Sequence, residues 1–262
     1  MANHNGNAYP LWTIGVDGSV YAYDAMATQN RMSNAGFAQD ISVGEDGTVW
    51  VVSNEPDPEG GGCKIYFSNG NSTWNEIVTD GPGAFKIVGV NFDSCAYLTN
   101  DYELYVINEK EKFMKLDVDI FDIGYGNNYF WAKKPVESGG IPVLQFCVAT
   151  SPLQWNVFEG NQDVDAVSVS SDGSCVALLD EIPMIFKLDG KTIQPVYNGN
   201  KQTAIQVSAK TTTNVILSFD VSEKGNEVLV LTGSPSVPTS YQPVGGGGIR
   251  ATRVTTSYFL PV

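Results

Sequence analysis

Residues 39–53, QDISVGEDGTVWVVS, constrain the fold of this chain more than any other stretch, because imperfect copies of them recur along it. Apolar residues alternate through Ile41 and Val43, a Gly-Glu-Asp-Gly turn follows, and residues 48–52 form a β-rich run, so the stretch predicts two short strands joined by a tight turn. The best second copy runs from Asp122-Ile123-Gly124-Tyr125-Gly126 to Trp131. With Asp40-Ile41-Ser42-Val43-Gly44 and Trp50 it shares the pattern D-I-x-x-G, a polar turn and an aromatic-rich strand. Weaker copies begin at Lys86-Ile87-Val88-Gly89-Val90 (turn Asp93-Ser94), at Val167-Ser168-Val169 (turn Asp172-Gly173) and at Ile205-Gln206-Val207-Ser208, where threonines replace the turn. Successive copies start roughly 35 to 47 residues apart, the spacing of a four-stranded propeller blade.

The rest of each unit fits that template. Third strands are predicted at residues 64–67, 103–106, 143–146, 184–186 and 228–231. Fourth strands are predicted at residues 74–77 and 155–158, which share Trp-Asn, and at residues 113–116 and 193–196. Apolar residues at alternate positions let each small sheet bury itself against the next. The chain ends supply a further unit: residues 11–14 and 20–23 read as second and third strands lacking a first, and the run at residues 253–260 has no unit of its own. Pairing the two removes two open sheet edges. The expectation is an all-β, six-bladed β-propeller of four-stranded antiparallel blades, its ring closed by pairing of the N- and C-terminal strands. It forms a single domain over residues 1–262, with a mobile lead at residues 1–10 and an exposed Gly/Pro-rich loop at residues 234–248.

Charge narrows the partners. Acidic residues number 29 against 15 basic ones, a formal charge of −14, and a field of that sign repels phosphate backbones and anionic head groups. Nucleic acid is therefore not an expected partner. No apolar run is long enough to insert in a membrane, and the N-terminus lacks a basic and apolar signal segment, so the expected location is cytoplasmic or exported by a route without one. Cys63, Cys95, Cys147 and Cys175 form no C-x-x-C pair and sit in or beside strand-like runs, which predicts buried free thiols.

The pattern Gln39-x-Ile41-Ser42-Val43-Gly44-x-Asp46-Gly47-x-Val49-Trp50, followed by an Ile-Tyr strand and a Trp-x-x-Ile strand, resembles the tectonin repeat. The resemblance implies a six-bladed propeller and a lectin-type role, since several tectonin proteins recognise bacterial or invertebrate glycans. The GH…WD signature of WD40 blades, the F-R-R-G motif of phosphoinositide-binding propellers and the spaced Asp-box of sialidases are absent from the sequence.

Chemistry-bearing constellations are few. The sole histidine, His4, excludes histidine-based triads, haem ligation and most zinc sites. Asp17, Asp46, Asp93 and Asp172 occupy equivalent turns, where a carboxylate accepts backbone N–H bonds, and residues so spread round a ring do not make the closely paired carboxylates of a glycosidase. No catalytic residue, metal site or cofactor is expected, and the chain is read as not an enzyme. Trp50 and Trp131 lie mid-strand and are read as packing between blades. A sugar stacks its C–H face on an aromatic ring while Asn and Asp take its hydroxyls, so the candidate contacts are Trp74 with Asn75, Trp155 with Asn156, Tyr97 with Asn100, and Tyr125 with Asn127. For the two tryptophans the alternative is edge-strand packing. The expected function is carbohydrate recognition by a non-catalytic propeller. The alternative is a protein-interaction propeller acting as scaffold, adaptor or cargo component of a larger assembly.

Overall fold

The structure, a computed structural model, describes residues 11–15, 17–23, 29–31, 37–68, 73–78, 81–109, 112–160 and 162–196, and the strand segments 206–211, 214–220, 226–231, 239–240 and 250–256. Their regular structure is entirely β. The first strands are β1 (Leu11–Gly15), β2 (Val20–Tyr23) and β3 (Gln29–Arg31). Blade 1 comprises β4 (Ala38–Val43), β5 (Val49–Pro56), β6 (Cys63–Ser68) and β7 (Asn75–Glu76). Blade 2 comprises β8 (Lys86–Gly89), β9 (Cys95–Leu98), β10 (Leu104–Asn108) and β11 (Lys112–Asp117). Blade 3 comprises β12 (Asp122–Gly126), β13 (Tyr129–Pro135), β14 (Pro142–Val148) and β15 (Asn156–Val157). Blade 4 comprises β16 (Asp165–Val169), β17 (Cys175–Leu179), β18 (Ile182–Phe186) and β19 (Ile193–Pro195). Last come β20 (Gln206–Thr211), β21 (Asn214–Asp220), β22 (Asn226–Leu231), β23 (Thr239–Ser240) and β24 (Arg250–Thr256).

Each blade is a separate four-stranded sheet in sequence order, and the registers are antiparallel throughout, as in Ser42↔Trp50↔Phe67↔Asn75 and Gly124↔Trp131↔Phe146↔Asn156. The expected count of six is corrected: among the described residues four separate four-stranded sheets are present, and the strands assigned to the other two repeats are not divided into two more such sheets. The physical reason is that alternation marks where strands lie, whereas a sheet ends only where an edge strand's N–H and C=O groups stop finding partners, which local sequence does not encode. The expected pairing of chain ends is present. β24 lies antiparallel to β1, with Thr13 opposite Val254 and Leu11 opposite Thr256, and β2 and β3 follow on the other side. Within the stretch at residues 234–248, Thr239 and Ser240 pair with Val230 and Leu229 rather than looping free. The lead at residues 1–10, with His4, and the rest of residues 234–248 lie outside the described residues.

The chain divides into two compact units, Met1–Lys115 with Gln242–Val262, and Leu116–Tyr241. In the first unit, successive residues of β5 face opposite neighbours: Val49 and Val51 join Trp12, Ile14, Val20 and Ile41, while Trp50 and Val52 join Ile65, Phe67, Ile87, Cys95 and Tyr97. A strand buried on both faces needs an unbroken apolar run, which is why β5 reads Val-Trp-Val-Val. In the second unit Trp131, Leu144 and Phe158 of blade 3 pack with Val167, Val169, Cys175 and Phe186 of blade 4.

The repeated D-I-x-x-G…W pattern has one geometric meaning in both units. Asp40 Oδ2 accepts the Ile87 N–H at 2.8 Å, and Asp122 Oδ2 accepts the Val167 N–H, also at 2.8 Å. Trp50 Nε1 donates to the Asn91 carbonyl at 3.0 Å and Trp131 Nε1 to the Gly173 carbonyl at 2.8 Å. Each motif thus ties its blade to the first strand and first turn of the next, satisfying backbone groups that face a neighbouring sheet. The reading of both tryptophans as inter-blade packing holds, since each is fully buried. Asp17, Asp46 and Asp172 hold their turns through the N–H groups of Ser19, Thr48 and Ser174. In the remaining turn Asn91 Oδ1 accepts the Asp93 N–H at 2.9 Å.

Candidate functional site

The eight residues nominated as sugar contacts are spread over three blades. Tyr97 is fully buried against Tyr105 and Phe113, and burial, with Cys95, Tyr105 and Asp57 adding to it, pushes its hydroxyl well above the usual tyrosine value. It is corrected to a core residue: β9 is buried at every position, so alternation could not bring its ring to the surface. Asn100 is exposed in the following turn, its N–H given to the Gly61 carbonyl at 2.7 Å. Trp74 is half-buried and packs on the cluster containing Trp12 and Val49, its indole nitrogen enclosed without a hydrogen-bond acceptor, while Asn75 is exposed opposite Phe67.

Trp155 is half-buried too, and its binding functions are already occupied. Its Nε1 donates to Asp117 Oδ2, the same oxygen that Lys134 Nζ approaches at 2.9 Å, and Lys134 sits 5.4 Å from the centre of the indole ring. These contacts seat the ring beside the outer strand β15. Asn156 is exposed and gives its amide to the Phe146 and Gln154 carbonyls at 3.4 and 3.5 Å. Tyr125 is half-buried with its ring 5.4 Å from Phe130. Asn127 and Asn128 form the two-residue turn between β12 and β13, with φ of 50° and 63°, a conformation that Asn tolerates better than most residues. Asn71 and Asn161, close in sequence to Trp74 and Trp155, lie outside the described residues.

Two surface features stand out instead. One is a cleft of about 510 Å³ at the turn end of blades 1 and 2. Asp46 lines it from blade 1, Asn91, Phe92, Asp93 and Ser94 from the β8–β9 turn, and Asn108, Glu109 and Lys112 from the β10–β11 turn. Asp46 Oδ2 accepts the Phe92 N–H at 2.6 Å, and Lys112 is paired to Glu109. The cleft offers amide, hydroxyl and carboxylate groups beside one aromatic ring, and none of the eight nominated residues lines it. As a repeat landmark the Asp93-Ser94 turn carries no site signal in sequence; Asn91 beside it is the residue that does.

The other is the tip of blade 3. Pro135 pairs with Pro142, which leaves Val136 and Ile141 opposite each other at the mouth of the β13–β14 turn, 60% and 78% exposed. The β11–β12 connection lies against this turn through the Ser138 hydroxyl, which reaches Asp119 Oδ2 at 3.3 Å. Ile120 is fully buried and anchors that connection, while Val118 and Phe121 on either side of it are exposed. The corresponding tips of the other blades are polar: residues 57–62 read DPEGGG, residues 99–103 TNDYE and residues 180–181 DE. Tyr102, the one aromatic among them, leans edge-on against Phe85 with ring centres 5.9 Å apart.

Among the described residues, no group of three or more His, Cys, Asp or Glu side chains is placed to hold a metal ion, and no helix is long and apolar enough to cross a membrane. Cys95, Cys147 and Cys175 are buried free thiols, while Cys63 is free but half-buried, short of the burial expected of all four. Burial pushes the first three above the usual thiol value, Cys147 to about 12, so they are poor nucleophiles at neutral pH.

No family model matches the chain, and no curated protein matches it either. Solved structures do. A chain of the nidogen/laminin complex superposes with a TM-score of 0.65 at 9% identity, over 94% of this chain and 97% of that one. YCF48 bound to a D1 peptide gives 0.54 at 11% identity, over 90% and 83%. Virginiamycin B lyase from Staphylococcus aureus gives 0.54 at 12% identity, over 93% and 87%. The chain is a β-propeller. At such identities the likeness carries the arrangement of antiparallel four-stranded blades and nothing about activity, because propellers serve binding and catalysis alike.

Proposed function

We propose that this propeller is a non-catalytic interaction module whose partner is a protein. The observation that carries the reading is the tip of blade 3, where Val136 and Ile141 stand uncovered at a position that holds no Val, Ile, Leu or Met in the other three blades. Exposed apolar side chains gathered at one place mark an interaction site, whereas single ones such as Val78 and Phe37 are ordinary surface. That one similar fold was solved within a nidogen/laminin complex and another bound to a peptide agrees with this use. The repeat-equivalent carboxylates Asp17, Asp46 and Asp172 are engaged in turns, which favours a binding role over hydrolysis.

The test is cross-linking and co-purification of the tagged chain beside its Ile141→Asp variant. A stoichiometric partner held by the wild type and lost by the variant is the expected result; a partner retained equally by both overturns this site. A second reading, glycan recognition of the tectonin type, is favoured by the cleft, whose Asn91, Asn108 and Ser94 groups beside Phe92 match the chemistry a saccharide needs. A glycan array with the wild type and an Asn91→Ala/Asn108→Ala variant separates the two. Specific binding lost in that variant supports the sugar, and an empty array sinks it.

A further inference from the structure

The blade 3 tip also carries a charge pattern that selects among protein partners. Lys133 and Lys134, the two cations nearest it in sequence, are turned inward, their side chains 19% and 14% exposed. Lys133 is held by Asp163 and Asp165 at 2.8 and 2.9 Å, and Lys134 by Asp117 at 2.9 Å. The carboxylates face water: the Asp163 and Asp165 side chains are 64% and 79% exposed, and Glu137 lies within the exposed turn itself. Counting Asp117, Asp119, Glu137, Asp163 and Asp165 against Lys133 and Lys134, the surroundings of the tip carry a net charge of −3. A Cβ added at Gly139, at the crown of the turn, would meet nothing within 4 Å, so the tip is open to an incoming chain.

We infer that the tip docks a protein segment in which a few adjacent apolar residues are flanked by lysine or arginine. This rests on the interaction reading above and adds the chemistry of the partner. Apolar contact with Val136 and Ile141 supplies the desolvated centre, and the surrounding carboxylates supply steering and register. A second copy of this chain is a poor occupant, because it would set −3 against −3 within molecules of formal charge −14. An anionic membrane is disfavoured on the same ground.

The probe is a short synthetic peptide with three central leucine or valine residues flanked by lysines, read by fluorescence anisotropy at low and high salt. Two companion peptides replace the lysines by glutamates or the apolar centre by serines. The lysine-flanked apolar peptide is expected to bind the full chain, about tenfold more weakly after Val136→Ser/Ile141→Ser and a few-fold more weakly, with a shallower salt dependence, after Glu137→Lys. The serine-centred peptide is expected to bind weakly, whatever the residue at 141. Ile141→Ala alone serves as a milder variant, and circular dichroism checks that each variant is folded. Equal affinity for wild type and serine variant overturns the docking site. Equally tight binding of the glutamate-flanked peptide, still dependent on Ile141, overturns the partner chemistry and leaves the interaction reading standing. Absence of binding by either apolar peptide overturns the proposal, as does partition onto phosphatidylcholine vesicles that the serine variant loses, since that would make the tip a lipid contact.

Discussion

Trp131 shows how much one side chain does in this architecture. It is fully buried, stacks on Phe146 with ring centres 4.7 Å apart, and gives its indole N–H to the Gly173 carbonyl of the next blade. Replacing it by Phe keeps an aromatic ring but leaves that carbonyl without its donor. A loss of ~1–3 kcal/mol is expected for Trp131→Phe, measurable by denaturant unfolding. Trp155, just before the outer strand β15, shows what residue type alone leaves out: nothing local signals that Asp117 takes its indole N–H and that Lys134 sits over its ring. Asp189 provides a pH prediction at the same scale. The Thr192 hydroxyl, then the N–H groups of Thr192 and Lys191, hold its carboxyl down from the model-compound 3.8 to about 2. A depressed carboxyl stabilises the folded turn above 3.8, and that contribution disappears as pH falls through about 2. A carboxyl titration followed by NMR should place the midpoint near the lower value, and Thr192→Val should move it back toward the usual one.

Among the elements, the first strands of adjacent blades 1 and 2 approach closely at a glycine. A Cβ at Gly89 would lie 2.7 Å from the Gly44 backbone nitrogen and 2.9 Å from the Trp50 ring, neither of which is a flexible side-chain end. Gly89→Ala is therefore expected to destabilise by ~1–3 kcal/mol through overpacking, and a thermal melt unchanged from wild type would refute the close approach. The strands themselves were legible in sequence, often to within a residue or two. The run predicted at residues 64–67 is the centre of β6, and that at residues 193–196 matches β19. What alternation could not supply is which hairpin tip stays uncovered. Val136 and Ile141 look no more exposed in sequence than other valines and isoleucines, and only the register Pro135↔Pro142 puts them side by side at the mouth of a turn.

At the scale of the whole molecule, the first unit is completed from the far end of the chain. β24 covers the edge of β1 in an antiparallel register from Leu11↔Thr256 to Ile14↔Arg253. Truncating the chain after residue 249 removes this partner and leaves an open edge. Hydrogen exchange should then show β1 amide protection reduced at least about tenfold, equivalent to ~1.4 kcal/mol, with increased self-association on gel filtration. Unchanged protection would mean that β1 is held without β24. The formal charge of −14 also acts at this scale, where it favours cationic partners over anionic ones through long-range steering.

The amino-acid sequence by itself determined the periodic quantities. Alternation fixed the strands, the D-I-x-x-G…W repeat fixed the blade unit, and unpaired terminal strands foretold the β24–β1 pairing, because each follows from backbone geometry and the need to satisfy every strand edge. Only the tertiary structure decided the number of separate sheets among the described residues, the burial of Tyr97, the engagement of Trp155 by Asp117 and Lys134, and the places of the cleft and the exposed tip. Those depend on which side chains meet across blades some 30 to 50 residues apart in the chain, and a local pattern carries no record of such meetings.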